Sequence, residues 1–326
     1  MESFPKVSIC IPTYNGAEFL DSAIASAVAQ TYPNFDIIIS DDRSTDNTVA
    51  IAQTWQQKSS VPIVLLQHER YGLVENWNYC VEYTTQTNDP PAYIKFLFQD
   101  DLLTPDCLEC MVKAAQQDRD IGLVFGRRKL LYGNSEILPP AKQWLHDLHQ
   151  AWHNLQPIQA GINLISDRNF LRQPDNKIGE PTSVLIKSTV FNKLGLFDRS
   201  LRQFCDLEMW LRIAAHHQVA FVDRELATFR IHHQQTTNTN VAQDRIWAEI
   251  YQVWLKLVFH PTYKSITLTI RRNIYLHLWQ SLIRECLGSI RHHRWHRLQQ
   301  IGVLTVDACR FLFMPWQDLP PVISRS

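Results

Sequence analysis

VSICIPTYNG at residues 7–16 and FDIIISDDRSTDNT at residues 35–48 are two apolar, β-branched runs that each end in polar residues. A helical pattern separates them, so together they form one β–α–β unit. The strands of such a unit are parallel, and their carboxyl ends meet at the edge where open α/β sheets bind ligands. We therefore expect the polar clusters 12–15 and 41–42 to lie side by side. Neither is a glycine-rich phosphate loop, so side chains would have to hold a nucleotide there.

Strand and helix patterns alternate through the first half of the chain. Strands are predicted at 6–12, 35–40, 62–67, 92–98 and 121–128, and helices at 18–30, 46–57 and 73–83. This alternation predicts an α/β fold with a mostly parallel sheet flanked by helices. Further on, the patterns predict a short strand at 184–186, a helix at 206–215 and helices through 243–314. Residues 131–180 are irregular, as expected of insertions that shape a pocket.

The chain divides into two regions by pattern and by charge. We place a sheet domain at 1–240 and a helical extension at 241–326, with the polar run HHQQTTNTN (232–240) between them. The extension contains 11 Lys and Arg against 5 Asp and Glu, although the whole chain has no formal net charge. A basic tail can approach anionic surfaces such as lipid headgroups, which predicts a peripheral membrane contact through this region. An ordinary solvated helix face is the alternative interpretation.

Cysteine usage and hydropathy bear on the location of the protein. The seven cysteines are scattered without a framework of repeats, and MESF (1–4) leads directly into the first strand without a signal-peptide pattern. Both observations predict a cytoplasmic protein with free thiols. No run of 18 or more uncharged apolar residues is present, so any membrane association would be peripheral, on the inner face.

Acidic residues recur at the predicted ends of strands and helices. The three groups are Asp41 with Asp42, Asp100 with Asp101, and Asp206 with Glu208. Carboxylates gathered at one sheet edge repel one another unless a divalent cation or hydrogen-bond donors lie between them. Because Mg²⁺ typically uses one or two carboxylates together with substrate phosphates, the pattern favours a site for a metal and a diphosphate. For any single Asp, a turn or helix cap is the alternative.

Three segments in order resemble one enzyme family. The stretch 7–48, GLFDRSLRQFCDLEMWLRIA (195–214) and ATFRIHHQQTT (227–237) are similar to glycosyltransferase family 2, which has the GT-A fold. The resemblance covers roughly residues 5–240. It implies a Rossmann-like sheet domain and an inverting transfer of sugar from a nucleoside-diphosphate donor to an acceptor hydroxyl. It also implies a divalent cation, Mn²⁺ or Mg²⁺, as cofactor.

The resemblance assigns roles to individual residues. The nucleotide would contact Pro12, Thr13, Tyr14, Asn15, Asp41, Asp42, Gln99 and Asp100. Asp100 would bind the metal, with His232 near it in a loop over the diphosphate, and Asp206 would be the general base. The acceptor side would include Glu180, Pro181 and Glu208. The implied partners are a UDP- or dTDP-sugar and a glycan or lipid-linked acceptor, with a role in surface polysaccharide synthesis and none for nucleic acid.

The sequence departs from the family pattern in two places. The Asp-x-Asp metal motif is replaced by Phe98-Gln99-Asp100, so its first carboxylate is missing. Cys205 stands where a Glu commonly precedes the base. Because Asp100 and Asp206 are retained, we expect an active enzyme with a weakened hold on the metal.

Other classes of protein remain to be weighed. A sugar nucleotidyltransferase should carry a glycine-rich loop with a basic residue after the first strand, and a dinucleotide oxidoreductase should carry G-x-G-x-x-G there. PTYNG (12–16) has neither. The missing metal-motif Asp favours a non-catalytic sugar-nucleotide-binding protein, whereas the retained Asp100, Asp206 and His232 favour an enzyme.

Overall fold

One mixed β-sheet organises the computed structural model, which describes residues 4–132, 148–232 and 246–316. The strands are β1 (Val7–Thr13), β2 (Phe35–Asp41), β3 (Ile63–Gln67), β4 (Tyr93–Phe96), β5 (Leu102–Leu103), β6 (Ile121–Tyr132), β7 (Ile158–Ala160), β8 (Val184–Lys187) and β9 (Gln218–Ile231). In the described residues these strands form one sheet in the order β3-β2-β1-β4-β8-β6-β9-β5, with β7 also paired to β9. β1, β2, β3 and β4 are parallel, as predicted.

The second half of the sheet mixes strand directions. β8 is antiparallel to both β4 and β6, while β6 and β9 run parallel over a long pairing. β5 and β7 are each antiparallel to β9. The sequence patterns did not predict β5, β7 or the first part of β9, because short or bulged strands lack a sustained period of two.

Helices cover both faces of the sheet. They are α1 (Leu20–Val28), α2 (Thr48–Lys58), α3 (Leu73–Thr85), α4 (Cys107–Ala115), α5 (Ile162–Ile165), α6 (Thr189–Leu194), α7 (Cys205–Ala214), α8 (Ile246–Phe259), α9 (Leu268–Arg291) and α10 (Trp295–Arg310). Side chains alternate between the faces along β1: Ile9 and Ile11 pack with α1, α2 and α4, whereas Cys10 packs with α3 and α7. The α/β prediction is confirmed.

The C-terminal helices pack on the sheet domain. Val253 and Leu257 of α8 and Leu278 of α9 are fully buried in the same hydrophobic cluster as Trp210 of α7. The helices predicted after residue 243 are confirmed from residue 246 on. The proposed boundary at residue 240 and most of the polar run 232–240 lie outside the described residues. Within the described ranges, none of the helices has the length and apolar character needed to cross a bilayer.

Candidate functional site

The loops that follow β1 and β2 are hydrogen-bonded to each other. The Asn15 N–H donates to Ser44 Oγ (2.9 Å), and the Thr45 N–H donates to Asn15 Oδ1 (2.8 Å). The Gly16 N–H donates to Thr48 Oγ1 (2.8 Å). Asn15 has a φ of 46°, in the left-handed region that Asn tolerates better than most residues. The prediction that the two polar clusters lie side by side is confirmed.

Asp41 ends β2 directly opposite Thr13, the last residue of β1. Its buried carboxylate accepts hydrogen bonds from Thr13 Oγ1 (3.1 Å), from the Ser44 N–H (2.8 Å) and from Ser44 Oγ (2.5 Å). The neighbouring Pro12 is the penultimate residue of β1. An ionised carboxylate can accept about four hydrogen bonds. Most of those available to Asp41 are used to hold the loop after β2 in place.

Asp42 anchors the loop after β3. Its carboxylate is 2% exposed and accepts the N–H groups of Tyr71 (2.6 Å) and Gly72 (2.9 Å). Arg70 Nε lies 3.5 Å from the second carboxylate oxygen. Asp41 and Asp42 therefore connect the loops that follow β1, β2 and β3. This structural role is additional to the nucleotide contact that the family resemblance implies for both residues.

Tyr14 and Arg70 form an accessible flat surface at this edge. The Tyr14 side chain is partly exposed, and the Arg70 guanidinium lies over its ring, 3.1 Å from the centroid. Sequence reasoning named Tyr14 and missed Arg70. The sequence feature that could have identified Arg70 is a positively charged residue in the loop after β3, the third strand that ends at this edge.

Gln99 joins the metal-motif loop to the loop after β1. Its Oε1 accepts the Tyr14 N–H (2.9 Å), and its Nε2 donates to the Tyr14 carbonyl (3.2 Å). A Cβ on Gly16 would lie 2.2 Å from Gln99 Oε1, so the close approach requires glycine. The side chain in the middle of the altered metal motif thus has a structural role in addition to the predicted nucleotide contact.

Substitution of Gly16 by Ala should displace the Gln99 amide and break both of its hydrogen bonds to Tyr14. We expect Gly16→Ala and Gln99→Ala each to lower the free energy of unfolding by about 1–3 kcal/mol. The double variant should be as stable as the less stable of the two single variants, so the coupling between the substitutions should equal the smaller single loss, about 1–3 kcal/mol. Urea denaturation of all four proteins measures this. Simple additivity of the two losses would show that the Gly16–Gln99 contact does not form.

Asp100 and His232 meet although they are far apart in the chain. His232 Nε2 lies 2.8 Å from Asp100 Oδ2. The Phe19 ring packs against the imidazole, with 4.9 Å between centroids, and the Arg230 guanidinium lies over the Phe19 ring, 4.8 Å from its centroid. Arg230 Nε also donates to the Asp100 carbonyl (3.0 Å). The loop after β4 and the end of β9 thus place one carboxylate and one imidazole together.

Asp101, next to Asp100 in the chain, stabilises the part of the site that contains Asp100 and His232. Its carboxylate is fully buried and accepts Thr182 Oγ1 (2.6 Å) and the Arg230 N–H (3.0 Å). Burial, together with the nearby Asp100 charge, raises the pKa of Asp101 well above its usual value. Three separate segments are therefore linked through a residue that the sequence placed among the clustered acidic groups but to which the family resemblance gave no role.

Asp206 lies in the first turn of α7. Its Oδ1 accepts the Leu207 N–H (2.7 Å), and its Oδ2 accepts Asn176 Nδ2 (3.0 Å). Burial raises the pKa of Asp206 to about 7, and the Glu180 charge adds to the shift, against the hydrogen bonds that lower it. A carboxylate whose pKa is near neutrality can exchange a proton at physiological pH, as a general base must. Sequence reasoning missed Asn176, which lies in the irregular region 131–180.

Glu180 is held by a two-pronged ion pair. Arg128 Nε lies 2.6 Å from Glu180 Oε2, and Arg128 Nη2 lies 3.1 Å from Oε1. Pro181 begins the 3₁₀ turn Pro181–Ser183, which carries the Thr182 that binds Asp101. The charge of Glu180 acts on the carboxyls of both Asp101 and Asp206, so this loop connects the Asp100 corner with the helix that carries Asp206.

Glu208, which the family resemblance places on the acceptor side, has its side chain buried between α7 and the C-terminal helices. Its buried carboxylate pairs with Arg212 Nη2 (2.6 Å) and accepts the Tyr263 hydroxyl (2.9 Å). Tyr263 lies between α8 and α9, so Glu208 fastens α7 to the C-terminal helices. The physical reason is helical geometry: two positions after Asp206, the side chain points about 200° away from it.

The two donor groups beside Asp100 suit a hard divalent cation whose coordination shell is completed by a bound substrate. Asp100 and His232 offer one oxygen and one nitrogen, and no group of three His, Cys, Asp or Glu in residues 4–132, 148–232 and 246–316 could enclose a metal. Mg²⁺ in particular is commonly held by one or two protein groups together with substrate phosphates. The residues present therefore fit a cation that also binds the diphosphate of a substrate.

A protein-family model agrees with this arrangement of loops. The model described as Glycosyl transferase family 2 matches residues 8–193, more than half of the chain. The chain belongs to this family. The match begins at β1 and includes the loops that carry Tyr14, Asp41, Asp100 and Glu180.

Two relatives are similar to the chain over most of their own length. An uncharacterised glycosyltransferase of Rickettsia prowazekii is 28% identical over 318 residues, which cover 89% of this chain and 92% of the relative. Another from Rickettsia typhi is 29% identical over 289 residues, which cover 85% of this chain and 83% of the relative. The resemblance to glycosyltransferases therefore extends into the C-terminal helices.

Solved structures share the fold. S. aureus TarS 1–349 in complex with UDP has a TM-score of 0.61 at 15% identity, covering 94% of this chain and 81% of TarS. The Pyrobaculum calidifontis mannosyltransferase PcManGT in complex with GDP-Man and Mn²⁺ has a TM-score of 0.55 at 16% identity, covering 95% and 87%. This family 2 chain accordingly has the GT-A glycosyltransferase fold.

Proposed function

We propose that this family 2 glycosyltransferase moves a sugar from a nucleoside-diphosphate donor to an acceptor hydroxyl with inversion at the anomeric carbon. Asp206 acts as general base, and Asp100 with His232 holds a divalent cation, Mn²⁺ or Mg²⁺. The observation that carries the proposal is the convergence of the Asp100–His232 pair, the linked strand-end loops and Asp206 through the Glu180–Thr182 segment.

The proposed donor site begins at the nucleoside end. Tyr14 and Arg70 provide a flat surface for the base, and the polar groups of Thr13, Asn15 and Asp41 line the edge beside it. When bound, the divalent cation neutralises charge that builds up on the leaving diphosphate. Arg230, beside Asp100, adds positive charge at the same corner.

The proposed reaction is a single displacement. Asp206 removes the proton from the acceptor hydroxyl, and the hydroxyl oxygen forms a bond to the anomeric carbon as the bond to the diphosphate breaks. Base and leaving group stand on opposite sides of that carbon, so its configuration inverts. Asn176 and the Leu207 N–H fix the carboxylate of Asp206, which keeps the proton-accepting oxygen in place.

The donor is proposed to be a UDP- or dTDP-sugar, and the acceptor a glycan or a lipid-linked sugar in surface polysaccharide synthesis. Solved relatives in complex with UDP, UDP-GlcNAc and GDP-Man support a nucleoside-diphosphate sugar as the donor. All seven cysteines are free, which accords with the proposed reducing environment at the inner face of the membrane.

A thermal-shift screen of UDP-, dTDP- and GDP-sugars with Mn²⁺ tests the proposed donor class. We expect a UDP- or dTDP-sugar at about 100 times its Kd to raise the melting temperature by roughly 5 °C, because a ligand that binds only the folded state stabilises it by mass action. The same donors with EDTA in place of Mn²⁺ are the control and should give a smaller shift. No shift with any donor in the presence of Mn²⁺ would contradict the proposal.

A further inference from the structure

Helix α9 exposes an apolar stripe. Leu276, Ile283, Leu287 and Ile290 are all more than half exposed. Their spacings of seven, four and three residues place them along one side of the helix. Apolar side chains exposed together along one helix face are typical of a surface that binds a partner.

Exposed aromatic and apolar residues continue past both ends of the hairpin formed by α9 and α10. Trp295, at the start of α10, is 65% exposed. Leu312, Phe313 and Met314, just after α10, are exposed as well, and Phe313 reaches 88%. The two helices run antiparallel, with the Tyr275 hydroxyl donating to the Ala308 carbonyl (3.3 Å). Trp is enriched where proteins meet the interface of a bilayer.

Cations surround the apolar stripe without exposed carboxylates among these helices. Arg272, Arg284 and Arg291 are exposed on α9, and Arg294 is exposed just beyond it. The three acidic residues within 246–316 are Glu249, Glu285 and Asp307, and none of them is exposed. Glu249 and Asp307 are buried, and Glu285 pairs with Arg297 (3.1 Å). Among the charged side chains exposed in residues 246–316, cations therefore predominate.

We propose that the apolar stripe of α9 and its flanking arginines dock this protein on an anionic lipid surface. Apolar side chains enter the boundary between headgroups and acyl chains, while the arginines contact lipid phosphates. A second copy of the chain is a poorer occupant, because self-pairing through the stripe would bring the cations of both copies together.

The docked face is firmly joined to the helix that carries Asp206. Glu249 of α8 accepts the N–H groups of Arg202 (3.0 Å), Gln203 (2.7 Å) and Phe204 (3.2 Å), immediately before Asp206 in the chain. If the proposed function holds, on which this consequence rests, docking brings the acceptor side close to the membrane. A lipid-linked acceptor then needs to move only along the surface to reach the site.

Co-sedimentation of the full-length protein with vesicles tests the docking face. We expect binding to phosphatidylcholine vesicles that contain phosphatidylglycerol, weak binding to phosphatidylcholine alone, and a loss of binding as salt is added. The variant I283Q/L287Q should bind at least about tenfold more weakly because two apolar side chains no longer leave water. R284Q/R291Q should lose about fivefold per cation. The controls Y83Q and K113Q, on α3 and α4, should bind like the parent.

The overturning results are distinct from a failure of the proposed function. The proposal is wrong if the parent protein binds neither kind of vesicle, or if I283Q/L287Q binds as tightly as the parent. It is also wrong if the parent is a dimer in solution by light scattering and I283Q/L287Q is a monomer, which would assign the face to a second copy. Vesicle binding requires neither donor nor metal. The variant I283Q/L287Q should still release the nucleoside diphosphate from a soluble nucleotide-sugar donor. If the parent protein itself releases no nucleoside diphosphate, that result would instead contradict the proposed reaction.

Discussion

Asp206→Asn is expected to lower the rate of sugar transfer by about 10²–10⁴-fold while the affinity for the nucleotide-sugar stays unchanged. The amide cannot accept the proton of the acceptor hydroxyl, but it preserves the size of the side chain. Asp206 lies at the start of α7, and the proposal gives the nucleoside to other segments, the loops after β1, β2 and β3, so donor binding should not depend on the charge of Asp206. Steady-state transfer kinetics and calorimetric titration with the donor measure the two quantities separately.

The matched control is Asp223→Asn, the same chemical change at an exposed position on β9 where the side chain pairs with Arg127 at the surface. This variant should transfer sugar at the parent rate. Because burial raises the pKa of Asp206, its ionised form already costs the folded state free energy above pH 7, so the neutral amide should not unfold the protein there. Transfer by Asp206→Asn at the parent rate would remove Asp206 as the base.

The pH profile of the parent enzyme should carry the signature of the same group. The base acts only when it is deprotonated, and burial raises the pKa of Asp206 to about 7. We therefore expect kcat/KM to be constant above about pH 7 and to fall by about tenfold per pH unit below it. The residual activity of Asp206→Asn should lack this acidic limb. A limb near pH 4 in the parent would indicate that the carboxyl titrates at its ordinary value.

Asp100→Ala is expected to abolish the Mn²⁺-dependent part of nucleoside-diphosphate binding, a loss of more than about 100-fold in affinity. With Phe98 in place of the first carboxylate of the metal motif, Asp100 is the motif carboxylate to which the proposal assigns the metal, and His232 Nε2 lies 2.8 Å from its Oδ2. Calorimetric titration of UDP with and without Mn²⁺ measures the effect. The variant should bind UDP with the same affinity in both conditions.

Two further variants separate metal binding from damage to the fold. Asp89→Asn, at an exposed position just before β4, should keep the full Mn²⁺ dependence. His232→Ala should weaken the dependence less than Asp100→Ala, since a neutral imidazole contributes less to a hard cation than a carboxylate does. An Asp100→Ala protein that still binds UDP more tightly with Mn²⁺ would place the metal elsewhere.

The nucleoside edge of the site could be predicted from the sequence. Apolar runs that end in polar residues give the strands and their ends, and the right-handed crossover rule makes neighbouring ends meet. The parallel register that places Thr13 opposite Asp41 is the expected result. Asp100 and His232 required more, since it is the pairing of β5 with β9, far apart in the chain, that brings the loop after β4 to the end of β9. There the family resemblance, and not the local pattern, linked them.

Other residues could not be placed without the fold. Arg128 binds Glu180 across 52 positions in the chain, and Asn176 binds Asp206 across 30, with no local periodicity to indicate either contact. The family resemblance places Glu208 on the acceptor side, and in the structure its carboxylate contacts Arg212 and Tyr263. Proximity along a helix is a poor guide to direction, since positions two apart face opposite sides.

The sequence by itself determined the strand-end loops and the retained carboxylates Asp100 and Asp206, because local pattern dictates which residues end a strand or begin a helix. Tertiary structure decided which of these groups meet and how they titrate. Gln99 can hydrogen-bond to the Tyr14 backbone because Gly16 has no side chain in the way. The pKa of Asp206 is about 7 because segments that are distant in the chain bury its carboxyl group. Burial and charge depend on everything that packs around a group, and that environment is assembled only when the chain is folded.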